Sequence, residues 1–508
     1  MKRHVLFGVA VLGVLAGNVG AQGVLTLPEA VRLALQRNPA ILLQQSQARV
    51  AAGAATQARG PFDTVLSAGV GVQGDQRLLR LDERLKYPTV GADQVVQSEN
   101  LRLGVERQLE SGAQLGMAYN YNAALDNVQG AQNIPLQASD KLSFTLRLPL
   151  QRNPGREAAA SLAAASAEAR AVGFDTQHMV ASTVLAVAQG YWDWVTRLAA
   201  LNAAHVAEQR VERLVRETEK LVQTDELPPA EINLVRASLI ERGAARVAAE
   251  QRSVEARNAL GRLLGMNAQQ ARELPAPAEA LPHKPDPAPD LIELRGQALA
   301  LRRDMEAARL REGASQVRLE AASSSLRPQT DLLLSGYSAG LREGNRLGSG
   351  LPLAAQSSGP GVAATLVFQF PVENSAASGV LGIAQANLDS ARLRRVALED
   401  SISIALEQAH AALLSVASQL DLSGSVVERY RISVRNEETK RLLGSATLID
   451  VLNIEDRLNN ALIARLQYQQ AYAVALTQLQ FEAGRLLRSG DEADSYTLDF
   501  KALLPQAQ

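Results

Sequence analysis

The chain has 508 residues, a formal net charge of −1, no cysteine and 4% aromatic residues. Near-neutral charge leaves no electrostatic footprint for nucleic acid, and the lack of cysteine excludes disulfides, thiolate metal sites and a lipid-modified N-terminal cysteine. The length suggests several globular domains unless internal repeats account for it.

Lys2, Arg3 and His4 lead an apolar run from Val5 to Ala16, followed by the small residues around Val19–Ala21. This pattern predicts a secretory signal over residues 1–21. No other stretch approaches about 20 consecutive apolar residues, so a mature form that enters a membrane must do so as a barrel. Leu25–Arg37 reads as a short helix capped by Thr26, with Pro28 in its first turn. Asn38-Pro39 breaks it, and a second helix runs to about Arg59.

From Phe62 the period changes to two. Thr64, Leu66, Ala68, Val70 and Val72 share a face, as do Leu101, Leu103, Val105, Arg107 and Leu109. So do Leu115, Met117, Tyr119 and Tyr121, and then Leu142, Phe144, Leu146 and Leu148. The other faces carry Arg102, Glu106, Gln108, Gln114, Asn120 and Arg147. Such strands fit a half-solvated sheet or a barrel wall with a wet lumen. Glu110-Ser111-Gly112 predicts a hairpin turn.

After Pro154 the period returns to 3.6, with no proline until Pro228. Val180, Val184, Val187, Tyr191, Val195 and Leu198 keep helical steps, and about 70 residues of helix make a rod near 100 Å. A second helix spans about 229–264. Six prolines between Pro275 and Pro289 mark an extended linker. The plan then recurs: a helix over 291–326, alternating strands from Thr330 and to Phe370, a Gly/Ser-rich loop over 340–361 between them, and a long helix carrying Leu398, Ile402, Ala405, Ala409 and Leu413. A turn at Gly444–Asp450 leads to a last helix ending near Leu487. Two internal repeats follow, 22–267 and 291–487, joined by the linker 268–290 and ending in a polar tail, 488–508.

This order resembles the TolC outer-membrane efflux protein family over nearly the whole mature chain. Leu25-Thr26-Leu27 through Asn38-Pro39, Leu146 to Pro154, Phe368 to Asn374, and Leu443-Gly444 through Leu452 carry the resemblance. It implies a mixed α and β fold: a homotrimeric outer-membrane β-barrel continued by a long α-helical barrel across the periplasm of a Gram-negative bacterium. It implies a passive exit duct of a tripartite efflux pump or a type I secretion system. The expected partners are a periplasmic adaptor, an inner-membrane transporter and outer-membrane lipid, with no cofactor. Asp450, and Glu231 in the first repeat, would form an acidic periplasmic aperture. Asn453 stands where the best-known members carry a second aspartate, and Ala446 where they carry a latch arginine. The tips at Gly444, Thr447, Thr224 and Asp225 would dock the adaptor. The Leu101–Tyr121 hairpin exceeds the family's usual two strands per repeat; an extracellular elaboration is preferred to two added wall strands. The competing reading is a soluble periplasmic coiled-coil scaffold or adaptor.

Other motifs carry less. Gly69–Gly74 matches GxGxxG, but its glycines sit inside an alternating run rather than between a strand and a helix. Gly336–Gly340 matches GxSxG without the strand-turn-helix a nucleophile elbow needs. His4, His178, His205, His283 and His410 have no histidine or cysteine at ligand spacing. Tyr119, Tyr121 and Tyr337 fit an interfacial aromatic girdle and ordinary surface positions on the sheet faces equally well.

Overall fold

The computed structural model describes residues 23–500, apart from 89, 153, 226, 284, 286–288, 345–358 and 490–495. The predicted targeting segment and most of the Gly/Ser-rich loop lie outside the described residues. The elements begin with helices α1 (Leu27–Arg37) and α2 (Pro39–Gln57), strand β1 (Thr64–Leu78), helix α3 (Leu81–Lys86) and strands β2 (Asp93–Gln108) and β3 (Gln114–Asp126). Helix α4 (Asn127–Ala131), strand β4 (Leu136–Pro149) and helices α5 (Pro154–Gln223), α6 (Ala230–Leu263), α7 (Ala268–Arg272), α8 (Leu291–Leu301) and α9 (Arg303–Ser325) follow. The chain ends with β5 (Gln329–Gly344), β6 (Gly359–Gln369), α10 (Ser375–Leu442), α11 (Leu448–Glu482), β7 (Leu487–Ser489) and β8 (Tyr496–Leu498). It divides into two units: one of Val50–Ala169 and Leu310–Leu393, the other of Met1–Arg49, Arg170–Arg309 and Arg394–Gln508.

The first unit is organised on a six-stranded sheet whose strands pair in sequence order, β1 to β6, every neighbour antiparallel. Its register aligns the alternating residues of all six strands. One row runs Leu66, Val105, Met117, Phe144, Gly336, Val362, and the next Ala68, Leu103, Tyr119, Leu142, Ser338, Pro360. One face is therefore apolar, and much of it is exposed: Leu66 is 76% exposed, Val70 81% and Val362 92%. The apolar band extends over about nine residues of strand, and a tilted transmembrane strand needs roughly 9–11. Charges bound it, with Arg107 at one limit and, at the other, Glu99 on β2 and Asp140 one row nearer on β4. The opposite face carries Arg102, Asn120, Lys141, Thr145, Ser335 and Asp331, with Arg147 donating to Asp331. A patch of exposed apolar surface this large calls for a partner other than water.

The β2–β3 hairpin corrects one expectation. It is not an elaboration outside the sheet: β2 pairs with β1 from Thr64 to Leu78, and β3 pairs with β4 from Gln114 to Ala124. Its apolar side chains continue the same band, so both strands belong to the sheet by the physical criterion that governs the others. Of the two readings open for Tyr337, the register favours an ordinary position on the sheet face. The tyrosine lies on the polar face, over Gly361 and beneath the Lys141 ammonium at 4.1 Å, away from Tyr119 and Tyr121.

The second unit is helical. The Thr26–Glu29 capping box opens α1, and its buried Leu27, Ala30, Val31 and Ala34 pack with Tyr191, Trp192 and Val195 of α5 and Leu260 of α6. A second core joins Leu294 and Ala298 of α8 to Ile402 and Leu406 of α10 and Tyr472 and Leu479 of α11. Helix α5 has 70 residues and α10 has 68. Among the described residues no helix is long and apolar enough to cross a membrane.

The single helix expected over 291–326 is broken. Arg302 adopts φ −68, ψ 125, nearly the geometry of Asn38, φ −65, ψ 122, between α1 and α2. Proline explains the first break. At the second, Arg302 turns its guanidinium inward to Glu482 at 2.5 Å and Asp304 at 2.8 Å, both little exposed. Such a charge stays buried because it is paired. The two glycines that end α6 and α11, Gly265 (φ 70) and Gly484 (φ 71), lie against these breaks; a Cβ would meet the Arg37 carbonyl at the first and Leu301 at the second.

The predicted extended linker is held to the helical unit near its start. Leu25 exchanges backbone hydrogen bonds with Ala276 and Ala278, and the Tyr191 hydroxyl donates to Glu279. The expected polar tail is corrected in part: α11 stops at Glu482, β7 pairs with β8, and Leu487, Leu498 and Phe500 join the first helical core.

Candidate functional site

The predicted site residues gather at two helix–helix turns. In the first, α5 ends at Gln223 and the Thr224 hydroxyl donates to the Lys220 carbonyl at 3.2 Å. Asp225 takes the left-handed conformation, φ 58. The Leu227 amide bonds back to Leu221. Pro229 precedes α6 and offers no capping side chain, so Glu231 sits in the first turn with only the macrodipole to favour it.

In the second turn Gly444 holds the left-handed position, φ 73. Its amide bonds to Arg441 and that of Ser445 to Lys440, closing the α10 carbonyls as a Schellman motif does. Thr447 then caps α11. The Asp450 amide donates to the Thr447 hydroxyl oxygen, and the Thr447 amide donates to the Asp450 carboxylate at 2.9 Å. The Thr447 hydroxyl donates to the same carboxylate at 2.6 Å. That hydroxyl bond first, and the backbone bond second, hold the Asp450 carboxyl below the usual aspartate range. Asn453 is exposed one turn further along α11.

The two turns share an apolar cluster. Val211, Leu214 and Val215 of α5 and Val235 of α6 pack with Leu448 and Leu452 of α11. Ion pairs reinforce it: Arg441 of α10 reaches Glu217 of α5 at 3.2 Å, Arg236 of α6 reaches Glu219 of α5 at 2.7 Å, and Arg242 of α6 pairs with Asp456 of α11. Arg441 and Arg242 tie one helical pair to the other, where the resemblance expects an arginine at Ala446. Sequence reasoning missed both; a basic residue in the last turn of α10 was the available signal for Arg441. It also missed Glu455, whose carboxyl is pushed up chiefly by burial, against the pull of Arg210.

The competing motifs find no support in the geometry. Gly69–Gly74 lies within β1 and Gly336–Gly340 within β5. His410 contacts the Pro289 carbonyl at 3.0 Å and His283 contacts Gln469. Among the described residues no cluster of three metal-ligating side chains forms.

Long paired helices together with a six-stranded antiparallel sheet paired in sequence order make up a fold shared with outer-membrane channels. A solved Pseudomonas aeruginosa membrane protein matches with a TM-score of 0.67 at 16% identity, covering 92% of this chain and 91% of that one. The Campylobacter jejuni CmeC outer membrane channel matches with a TM-score of 0.64 at 14% identity, covering 90% and 85%. The Neisseria gonorrhoeae MtrE outer membrane channel, in its open state, matches at 0.62 and 17%, covering 90% and 88%. No family model and no curated protein matches the sequence.

Proposed function

We propose that the chain is the outer-membrane exit duct of a tripartite efflux pump or a type I secretion system in a Gram-negative bacterium. The observation that carries this reading is the sheet: an exposed apolar band of transmembrane height on one face and a polar face behind it, in a chain with the fold of outer-membrane channels. The band would face lipid and the polar face a wet lumen. Strands β1 and β6 leave backbone groups unpaired at the two sheet edges, which hydrocarbon does not tolerate. A homotrimer removes those edges, closing eighteen strands from three copies of six.

On this reading the turns form the periplasmic end. Asp450 and Glu231, repeated by the threefold axis, line an acidic aperture that favours cations, with Asn453 beside it. Gly444, Thr447, Thr224 and Asp225 present the surface to a periplasmic adaptor, through which an inner-membrane transporter supplies energy. The duct itself catalyses nothing.

Conductance in a planar bilayer tests this. The protein in detergent is expected to insert as stable cation-preferring channels, with the preference reduced in Asp450→Asn, which keeps an oxygen to accept from Thr447. Channels of unchanged selectivity would remove Asp450 from the aperture. A protein that stays soluble without detergent and never inserts would overturn the duct and favour the periplasmic scaffold.

A further inference from the structure

The polar face of the sheet carries a charge pattern that neither the tips nor the lipid band explains. At mid-height one register row runs Gly69, Arg102, Asn120, Lys141, Ala339 across β1 to β5. Arg102 and Lys141 are exposed and stand two strands apart, roughly 10 Å between backbones. Arg102 donates through Nε to the Asn120 side-chain oxygen at 3.1 Å, which orients the guanidinium and leaves its terminal nitrogens clear of that bond. The Lys141 ammonium rests over the Tyr337 ring. Neither cation has a carboxylate partner among the described residues, whereas Arg147 on the same face is paired with Asp331.

The neighbouring rows are uncharged, and small except for Tyr337 and Leu341 on β5. Toward the β2–β3 turn lie Ser67, Gly104, Ala118, Ser143 and Tyr337, and on the other side Gly71, Asn100, Asn122 and Ser139. Along β2 the nearest carboxylate on this face is Glu106, four residues from Arg102. Two long cations therefore flank an amide among uncharged neighbours, mostly glycine, alanine, serine and asparagine on β1 to β4.

We propose that Arg102, Asn120 and Lys141 form an anion-binding belt inside the channel, a second selectivity element of opposite sign to the acidic tips. The proposal rests on the duct reading, since only a closed wall makes this row a ring. The guanidinium offers two parallel donors to a planar carboxylate or a phosphate, the Asn120 amide offers another, and Lys141 supplies a point charge from the far side. Rings of Arg and Lys of this kind select for anions. The ligand class is a multivalent anion bearing phosphate or carboxylate groups, entering from the extracellular side or travelling outward through the lumen. Glycine and serine around the belt keep the passage open at this height.

The experiment is block of single channels in a planar bilayer by inorganic tripolyphosphate, comparing wild type, Arg102→Gln/Lys141→Gln, and Arg102→Lys/Lys141→Arg. Wild type is expected to be blocked at low millimolar or lower concentration in low salt. The neutral pair should weaken block by about tenfold or more and shift the reversal potential toward cations. The charge-retaining pair should remain blocked, which separates loss of charge from a damaged wall. Equal block in all three overturns the belt while leaving the duct intact. Block lost equally in both pairs also overturns it, since geometry rather than charge would then be responsible. A protein that forms no channels at all overturns both the belt and the duct.

Discussion

The two helix–helix turns solve one problem with different residues. Each must end a very long helix, reverse the chain and restart. The second turn uses glycine for the left-handed position and a reciprocal Thr447–Asp450 cap. The first places Asp225 in the left-handed position and restarts behind Pro229 with no side-chain cap. The contrast separates two meanings of an acid at a helix start. Asp450 holds its own helix together, so its charge and its capping bonds are entangled. No side chain caps the start of α6, so the charge of Glu231 is not tied to a capping bond there.

The largest effect is expected where the two turns meet. Leu452→Ala removes a buried side chain from the cluster that Val211, Leu214, Val235 and Leu448 share. Truncating a buried leucine costs about 2 kcal/mol or more. Amide exchange should rise roughly 30-fold in both turns together, since one cluster serves both. Faster exchange at the second turn alone would show that the turns are independent. Thr447→Ala comes next. It removes the hydroxyl that receives the Asp450 amide and should cost about 1 kcal/mol, seen as fraying of the first turn of α11 with α6 unaffected. Gly444→Ala forces a side chain into a left-handed backbone, at about 1 kcal/mol. Asp225→Gly should be nearly neutral, because relieved strain is offset by the greater backbone freedom of glycine in the unfolded chain. A gain as large as the Gly444→Ala loss would mean that the first turn is strained rather than merely unusual.

Legibility from sequence followed the range of the physics. Period two placed Leu66, Leu103, Met117, Tyr119 and Phe144 on apolar faces correctly, because alternation is local. That these faces coincide across six strands is a matter of register, and a separate hairpin and an inserted one have the same alternation. The β2–β3 strands were for that reason legible as strands and misplaced as an elaboration. The break at Asn38 was written in Pro39, whereas at Arg302 no proline marks the break, and of its two carboxylate partners Asp304 is local and Glu482 is distant in sequence. At the tips, Thr447 three residues before Asp450 was a capping signature in plain view. The packing of Leu448 and Leu452 onto α5 and the pairing of Arg441 with Glu217 are tertiary facts that no spacing encodes.

The smallest effect sharpens the comparison most. In a Glu231→Gln background Asp450 is the remaining proposed aperture acid, and cation preference can be followed as pH falls. Its carboxyl lies below the usual aspartate range because the Thr447 hydroxyl and amide bond the charged form. A lowered folded value means that the capping contribution is complete above the ordinary aspartate pKa of about 3.9 and is lost as pH falls through the lowered value. Cation preference should therefore persist below about pH 4 and then fade. Thr447→Ala deletes the largest of these bonds and should move the midpoint upward, toward the ordinary value, without abolishing the preference at neutral pH. A midpoint already above the ordinary value would mean that repulsion between the acids of three copies outweighs the cap. An unchanged midpoint in Thr447→Ala would remove the cap as the cause of the Asp450 shift and with it the distinction drawn between the two turns.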